Sequence, residues 1–466
     1  MHLPDRSDTI CALATAPGMG AIAVIRISGS KTFEILNGLF ETKTGKKKNF
    51  SEVKSHTLHF GNIIFENKII DEVLLSIFKN PMSYTGEDTI EISCHGSTYI
   101  QQQLLQVLQS RGARLAEPGE FTMRAFLNGK LDLTQAEAVA DLISSQHASA
   151  HTTAIQQLRG GYNSTIQALR QQLMDFASLI ELELDFAEED VEFANRDQLR
   201  ALINGLLKEV KTLRNSFDTG NAMKNGIPVV IAGKPNVGKS TLLNALLNEE
   251  KAIVSEIAGT TRDVVEDQLI IEGYRFRFMD TAGIRHTTDT IEKIGVEKTF
   301  LHAEKARIAL YLCDPGQSRP EEIKNELEEL KTKSGNNNLS IITVINKTDQ
   351  FQEALLLPYQ QLPSSVFISA KNKTHLEELK RLLISESGVA NKENENQLVT
   401  NARHASSLLK AETALTKVIE GMDDNLTSDF LALELKEALY QLGNITGEIY
   451  TDDLLGNIFS KFCIGK

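Results

Sequence analysis

Residues 233–240, GKPNVGKS, fit the phosphate-binding pattern G-x-x-x-x-G-K-[ST] in full. The glycines of such a loop let successive backbone N–H groups turn toward one anion, and the helix that follows adds the partial positive charge of its N-terminus. Lys239 would reach the β- and γ-phosphates of a nucleotide and the Ser240 hydroxyl would bind Mg²⁺, with Asn236, Val237, Gly238 and Thr241 completing the contacts. The flanks suit the motif. PVVIA at 228–232 is the short apolar run of a buried parallel strand, and STLLNALLN at 240–248 spaces its apolar residues as a helix does.

Residues further along specify the base. Asn346, Lys347 and Asp349 form N-K-x-D directly after the apolar run LSIITVI, at the C-terminal end of an expected strand, where open α/β sheets bind ligands. The Asp349 carboxylate can accept from the ring N–H and the exocyclic amine of guanine together. Adenine lacks that donor pair and would leave the carboxylate unpaired, at a cost of about 1–3 kcal/mol or more. Ser369, Ala370 and Lys371, after SVFI, offer a backbone N–H to the guanine keto oxygen. Asp280, Thr281, Ala282 and Gly283 follow the alternating run YRFRFM; Asp280 would hold Mg²⁺ through water and Gly283 would let the backbone approach the γ-phosphate. In Gly259-Thr260-Thr261-Arg262-Asp263, Thr261 is the candidate for the Mg²⁺ shell. Five elements in this order predict a Ras-like P-loop domain with a mainly parallel sheet that hydrolyses GTP.

The elements around these residues fall into blocks. With 466 residues the chain has room for two to four domains. Residues 1–118 read as an α/β domain: TICALATA and AIAVIRIS flank the glycine turn at 17–20, NIIFENKIIDEVLLSIF reads as two strands around a turn, and DTIEISCHG as another strand. His95, with no second ligand at coordinating spacing, reads as a structural histidine. Residues 119–221 turn helical, the acidic cluster Glu188, Glu189, Asp190 and Glu192 reads as a solvated helix end, and DTGNAMKNGI at 218–227 reads as a linker. The nucleotide domain is expected over 222–387, and helices resume over 388–466. One all-α domain split by an inserted nucleotide domain is the economical arrangement, because two orphan sets of amphipathic helices would each need a partner.

Composition bounds the chemistry. The chain carries 49 Lys and Arg against 62 Asp and Glu, a formal net charge of -13, which argues against holding nucleic acid over the whole surface. An RNA substrate would need a local patch or a partner. Cys11, Cys94, Cys313 and Cys463 are far apart with no C-x-x-C pair, so neither a zinc ribbon nor a disulfide framework is indicated, which fits a reducing cytosol. MHLPDRSD has no apolar core of signal length, and no run approaches about 18 apolar residues, so a soluble cytoplasmic protein away from membranes is expected.

PGMGAIAVIRISG, SYTGEDTIEISCHG, EPGEFTMRAFLNGKLDLTQAEAVADLI and the terminal FCIGK, together with the five nucleotide elements, resemble the bacterial tRNA-modification GTPase family MnmE, also called TrmE, over essentially the whole chain. On the nucleotide elements alone, a GTPase switch in ribosome assembly with an N-terminal binding module stays open. The resemblance implies an N-terminal folate-binding and dimerising domain, a central helical domain and an inserted Ras-like domain. It implies a homodimer that forms a heterotetramer with the FAD-containing partner MnmG and installs an aminomethyl or carboxymethylaminomethyl group at position 5 of the tRNA wobble uridine. The carbon donor would be 5-formyl- or methylene-tetrahydrofolate, contacted by Arg26, Glu91, Lys130 and Lys466, and Cys463 would be catalytic. The resemblance further implies a K⁺ ion in place of an arginine finger, held by Asn236, Ser255, Ile257 and Thr260, with the segment Ser255, Glu256, Ile257, Ala258, Gly259, Thr260 and Thr261 against the nucleotide. Many Ras-like proteins place a water-orienting Gln after Asp-Thr-Ala-Gly; this chain has Ile284, which cannot orient water, and Glu292 is the expected substitute, with Arg285, His286 and Asp289 as nearby rivals. Met19 stands where relatives often carry Arg, and Ser97 where a second Gly is common.

Overall fold

A computed structural model describes residues 8–185, 196–249, 267–279, 292–389 and 398–466. The chain divides into two compact units, one made of Met1–Ser144, Gln157–Leu207 and Ser407–Lys466, the other of Ser145–Gln156 and Lys208–Ser406.

The first unit holds a seven-stranded sheet of β1 (Thr9–Leu13), β2 (Ile22–Ser28), β3 (Phe40–Thr42), β4 (Thr57–Phe65), β5 (Lys68–Phe78), β6 (Thr89–His95) and β7 (Ala113–Leu115), in the order β3-β4-β5-β6-β2-β1-β7. Only the β1–β7 pairing is parallel. The turn between β4 and β5 places Glu66 and Asn67 at φ 49 and 60, the two left-handed residues that match the twist of a tight hairpin. Alternation along the strands buries Ile25, Ile27, Leu75, Ile77, Ile90 and Ile92 on one face, against Leu104 and Leu108 of the helix Thr98–Ser110. The opposite face carries the row Arg26, Glu91, Ser76 and Leu58, one residue from each of β2, β6, β5 and β4. The helices Glu120–Leu127 and Asp452–Phe459 pack through Met123, Phe126, Leu455, Phe459 and Phe462. The Thr451 hydroxyl caps the second of these by accepting from the Leu454 N–H at 3.2 Å.

The second unit holds a six-stranded sheet of β8 (Ile227–Ala232), β9 (Asp267–Ile271), β10 (Tyr274–Phe278), β11 (Ile308–Cys313), β12 (Ser340–Ile345) and β13 (Ser365–Phe367), in the order β13-β12-β11-β8-β10-β9. All neighbours are parallel except the β9–β10 hairpin. Val229, Ile231, Leu310, Leu312, Ile342 and Val344 are buried between flanking helices, as near-continuous apolar strands of a parallel sheet must be. The expected linker at 218–227 is instead mostly a helix, Phe217–Asn225. Ala222 and Met223 are buried in the core, and Gly220 lies so close to the Val399 carbonyl that a Cβ there would meet its oxygen at 2.3 Å. Two buried side chains and one close backbone approach are too little apolar pattern to read from sequence, yet they dock the helix. The segment 145–156 also belongs to this unit: the Ser149 N–H donates to the Gly273 carbonyl at 3.1 Å, and its hydroxyl donates to the Met223 carbonyl at 3.0 Å. Among the described residues no helix is long and apolar enough to cross a membrane.

Candidate functional site

The loop between β8 and the helix Lys239–Glu249 carries the phosphate-binding motif. Gly233 and Gly238 have φ of +132 and +102, and added Cβ atoms would lie 2.2 Å from the Leu312 carbonyl oxygen and 2.4 Å from Asn346 Nδ2. Only glycine fits both positions, so the loop can turn while packed against Leu312 and Asn346. Lys239 donates through Nζ to the carbonyls of Gly233 at 2.6 Å and Lys234 at 2.9 Å, two of its three donors. Burial pulls its pKa below the ordinary lysine value, so an anion beside it is favoured more strongly than at the surface.

Three loops converge through one side chain. Asn346, buried at the end of β12, donates through Nδ2 to the Val237 carbonyl at 2.8 Å and accepts at Oδ1 from the Ala370 N–H at 3.0 Å. It thereby joins the phosphate loop to the segment after β13. Lys347, at φ 63, donates to the Asn236 carbonyl at 2.9 Å and to buried Asp314 at 2.8 Å. Asp349 is exposed on the 3-10 turn Thr348–Gln350. Ser369 Oγ accepts from the Asn372 N–H at 3.2 Å, and the Ala370 N–H is taken by Asn346. Sequence reading missed Asp314, as well as Lys234, which is anchored to Glu326 at 2.9 Å and to Ser318 at 2.9 Å. Asn236 is exposed at φ 59, and Ser240 and Thr241 open the helix. These residues fit a guanosine triphosphate: a glycine cradle, a half-buried ammonium, and a carboxylate and an amide at strand ends. The expected contacts at Ser255, Glu256, Ile257, Ala258, Gly259, Thr260, Thr261, Asp280, Thr281, Ala282 and Gly283 lie outside the described residues, as does the acidic cluster at 188–192. Glu292 is the first residue of the helix Glu292–Lys305.

In the first unit, Arg26 and Glu91 face each other across β2 and β6, with Nε and one terminal nitrogen 2.9 and 2.8 Å from the same carboxylate oxygen. The arginine side chain is only 12% exposed. Its guanidinium lies 5.2 Å from the Tyr84 ring centre and 5.5 Å from that of Phe121, and it donates to the Gly465 carbonyl at 3.4 Å. Fully buried Glu120, paired with Arg114 at 2.6 Å and Arg124 at 3.0 Å, fixes the helix that presents Phe121. The C-terminal tail is held close by: Gly465, at φ 93, has no room for a Cβ against Leu13, and the Cys463 carbonyl accepts from the Gly119 N–H at 3.3 Å. Lys130 is exposed and donates to the Pro81 carbonyl at 2.9 Å, and the Lys466 N–H donates to the Cys463 carbonyl at 3.4 Å. The structure thus gathers Arg26, Glu91 and the tail, and adds Tyr84 and Phe121, which the sequence did not single out. His95 acquires a partner as well, since buried Asp71 accepts from its backbone N–H at 2.8 Å and lies 2.7 Å from its Nδ1.

Cys463 is exposed, while Cys11, Cys94 and Cys313 are buried. Burial pushes the Cys11 and Cys313 thiols up to about 12 and Cys94 up to about 11, leaving almost no thiolate near neutrality. Brief iodoacetamide treatment of the native protein at neutral pH is expected to alkylate a single thiol, and Cys463→Ser to abolish it. Mass spectrometry of the digested protein reads the outcome; modification at Cys11, Cys94 or Cys313 would contradict it.

Residues 9–130 match the family described as the N-terminus of GTP-binding protein TrmE, and residues 133–463 match the MnmE helical domain. A tRNA modification GTPase MnmE from Flavobacterium johnsoniae is 55% identical over 466 residues, covering 98% of this chain and 99% of that one. Proteins of the same name from Cytophaga hutchinsonii and Bacteroides thetaiotaomicron are 52% and 48% identical, with coverage of 99% and 98% of this chain and 98% and 99% of theirs. With identity of this level over nearly the whole of both chains, the chain belongs to the MnmE family of tRNA modification GTPases.

Proposed function

We propose that the chain is a K⁺-activated GTPase that, with an FAD-containing partner of the MnmG kind, uses a folate one-carbon unit to build the aminomethyl or carboxymethylaminomethyl group of a tRNA wobble uridine. The observation that carries the folate half is the largely buried Arg26–Glu91 pair on the sheet, flanked by two aromatic rings and the terminal tail. A pterin is flat and polar, and its tail bears carboxylates. Arg26, Lys130 and Lys466 suit the anionic groups, Glu91 can accept from pterin N–H groups, and half-buried Tyr84 offers an edge of its ring to a flat ligand, while fully buried Phe121 backs the Arg26 guanidinium. Bound there, a tetrahydrofolate derivative would supply the carbon that ends on the uridine. Glu91 holds the guanidinium in position while the rings exclude water from one side.

On the nucleotide side, Ser240 and Thr261, with Asp280 through water, would hold Mg²⁺. Asn236, Ser255, Ile257 and Thr260 would give the oxygen donors that a hard monovalent cation takes. The working division is a folate-binding and dimerising domain over 1–118, a helical domain over 119–221 and 388–466, and the GTPase domain over 222–387.

Calorimetric titration of the full chain with 5-formyltetrahydrofolate tests the reading. Binding is expected, and Arg26→Ala should weaken it about 10- to 150-fold, the cost of losing a charged hydrogen-bond donor, with GTP turnover unchanged. No binding by the unsubstituted chain would remove the folate half and leave the GTPase half standing.

A further inference from the structure

The hairpin β9–β10 joins, in sequence, the two stretches expected to lie against the nucleotide, since Thr261 precedes β9 and Asp280 follows β10. Its turn is tight: Ile271 pairs with Tyr274, and Glu272 and Gly273 between them have φ of 48 and 85, the left-handed pair that suits a two-residue hairpin loop. The turn is seated on another part of the chain. The Gly273 carbonyl accepts from the Ser149 N–H at 3.1 Å, and a Cβ on Gly273 would come within 3.0 Å of the Ala148 Cβ. The Ser149 hydroxyl, 2.9 Å from His147 Nδ1, donates to the Met223 carbonyl at 3.0 Å. Arg275 ties the same parts together, donating to Gln146 Oε1 at 3.2 Å, to the Asn225 carbonyl at 3.3 Å and to Gln268 Oε1 at 3.3 Å. His147, Ser149 and Met223 are buried, so the bonds of Ser149 are sheltered from water.

Three segments far apart in sequence meet here, all within the second unit. One is the hairpin itself. The second is the helix Phe217–Asn225, which runs directly into β8 and so toward the phosphate loop. The third, 145–156, lies outside the stretch 208–406 that makes up the rest of that unit, and the helix Ala148–Leu158 carries it on to Gln157, where the first unit resumes. The nucleotide domain therefore holds a piece of the flanking helical sequence by hydrogen bonds, in addition to the two points where the chain enters and leaves it. We propose that the β9–β10 turn carries the state of the bound nucleotide to residues 146–149 and so to the helix Ala148–Leu158, with Ser149 and Arg275 as positioning residues that couple GTP hydrolysis to tRNA modification. A paired hairpin is a rigid element, so a displacement at its nucleotide end reaches its turn. A slide of about 1–2 Å there takes the Ser149 N–H out of hydrogen-bond range. Unless 146–149 follows the turn, a buried donor is left unpaired at its full desolvation cost, and that penalty makes the segment follow. The proposal rests on the GTPase and tRNA-modification activities of the family; neither folate binding nor K⁺ dependence enters it.

Hydrogen–deuterium exchange of the full chain, loaded with GDP or with the non-hydrolysable analogue guanylyl imidodiphosphate, is the first test. In the unsubstituted chain, peptides within 146–158 should exchange at rates that differ between the two nucleotides by about 5- to 150-fold, the usual range of coupling between sites. In the double variant Ser149→Ala/Arg275→Gln that difference should vanish, while peptides of the phosphate loop keep theirs. The same variant should retain kcat and KM for GTP. Its share of modified wobble uridine, read by mass spectrometry in cells that carry only the variant, should fall about 2- to 30-fold, as for residues that transmit coupling without touching either ligand. Equal exchange over 146–158 with both nucleotides in the unsubstituted chain would make the contact a static brace and overturn the proposal. Full modification by the double variant would overturn it too, as would a loss of GTP turnover in step with modification, which would make the two residues supports of the nucleotide site alone. Failure of 5-formyltetrahydrofolate to bind, or turnover indifferent to K⁺, bears on the folate and K⁺ readings alone.

Discussion

Asp349→Asn is expected to weaken GTP binding by about 10² to 10⁴, because two charge-assisted hydrogen bonds to guanine, each about 1.5–3 kcal/mol, are lost together. The residue sits exposed on a short turn directly after Asn346 and Lys347, whose side chains tie that turn to the phosphate loop. Its backbone position therefore depends on its neighbours, and the substitution should leave the fold intact. An amide at this position presents a donor where the carboxylate accepted, which complements xanthine. Xanthosine triphosphate should consequently bind the variant better than GTP does, whereas ATP should be a poor substrate of both proteins. Equilibrium binding and steady-state turnover with the three nucleotides decide this. Equal turnover of ATP and GTP by the unsubstituted protein would be incompatible with recognition of the guanine edge by Asp349.

Glu292→Ala is expected to reduce kcat for GTP about 10²- to 10⁴-fold, the range for removing a group that positions or activates water, with GTP affinity near normal. Glu292 opens the helix Glu292–Lys305, and Ile284, which follows Asp-Thr-Ala-Gly, has no group to orient water. Exchange of K⁺ for Na⁺ should slow the unsubstituted protein strongly, since a positive charge at the transferring phosphoryl group contributes about 10³ to 10⁵ when an arginine supplies it. The same exchange should change little in Glu292→Ala, already limited by its water. Rates unchanged in Na⁺ would move the positive charge to a side chain, with Arg285 the first to test. The variant also separates binding from hydrolysis: loss of wobble-uridine modification in cells that carry it would mean that the chemistry needs the change of state and not nucleotide occupancy alone. Full modification with hydrolysis crippled would refute that coupling.

The phosphate loop was legible because its chemistry is local: strand, loop and helix are contiguous, and each glycine answers to a backbone need within a few residues. The base-reading segments were legible for the same reason, each following an apolar strand that ends at the same edge of a parallel sheet. Nothing local showed that the Asn346 side chain would spend both its ends on Val237 and Ala370. That role depends on strand order, which brings β8 and β13 to either side of the strands that separate them. The helix Phe217–Asn225 escaped notice because its docking rests on one close backbone approach at Gly220 and two buried side chains.

Residue type and spacing by themselves determined that this chain holds a phosphate loop, an N-K-x-D element, an α/β N-terminal part and a divided set of helices, because each is encoded within one element or its immediate flanks. Only the tertiary structure decided what surrounds Arg26. Glu91, Tyr84 and Phe121 reach it from other elements of the same unit, and the Gly465 carbonyl comes from 439 residues away. The segment 145–156 reads as helical in the sequence, but its place in the GTPase unit could not be read there, since it rests on Ser149 meeting the Gly273 and Met223 carbonyls. One N–H and one hydroxyl leave no periodic pattern in a sequence, and only the folded hairpin and helix bring their partners within reach.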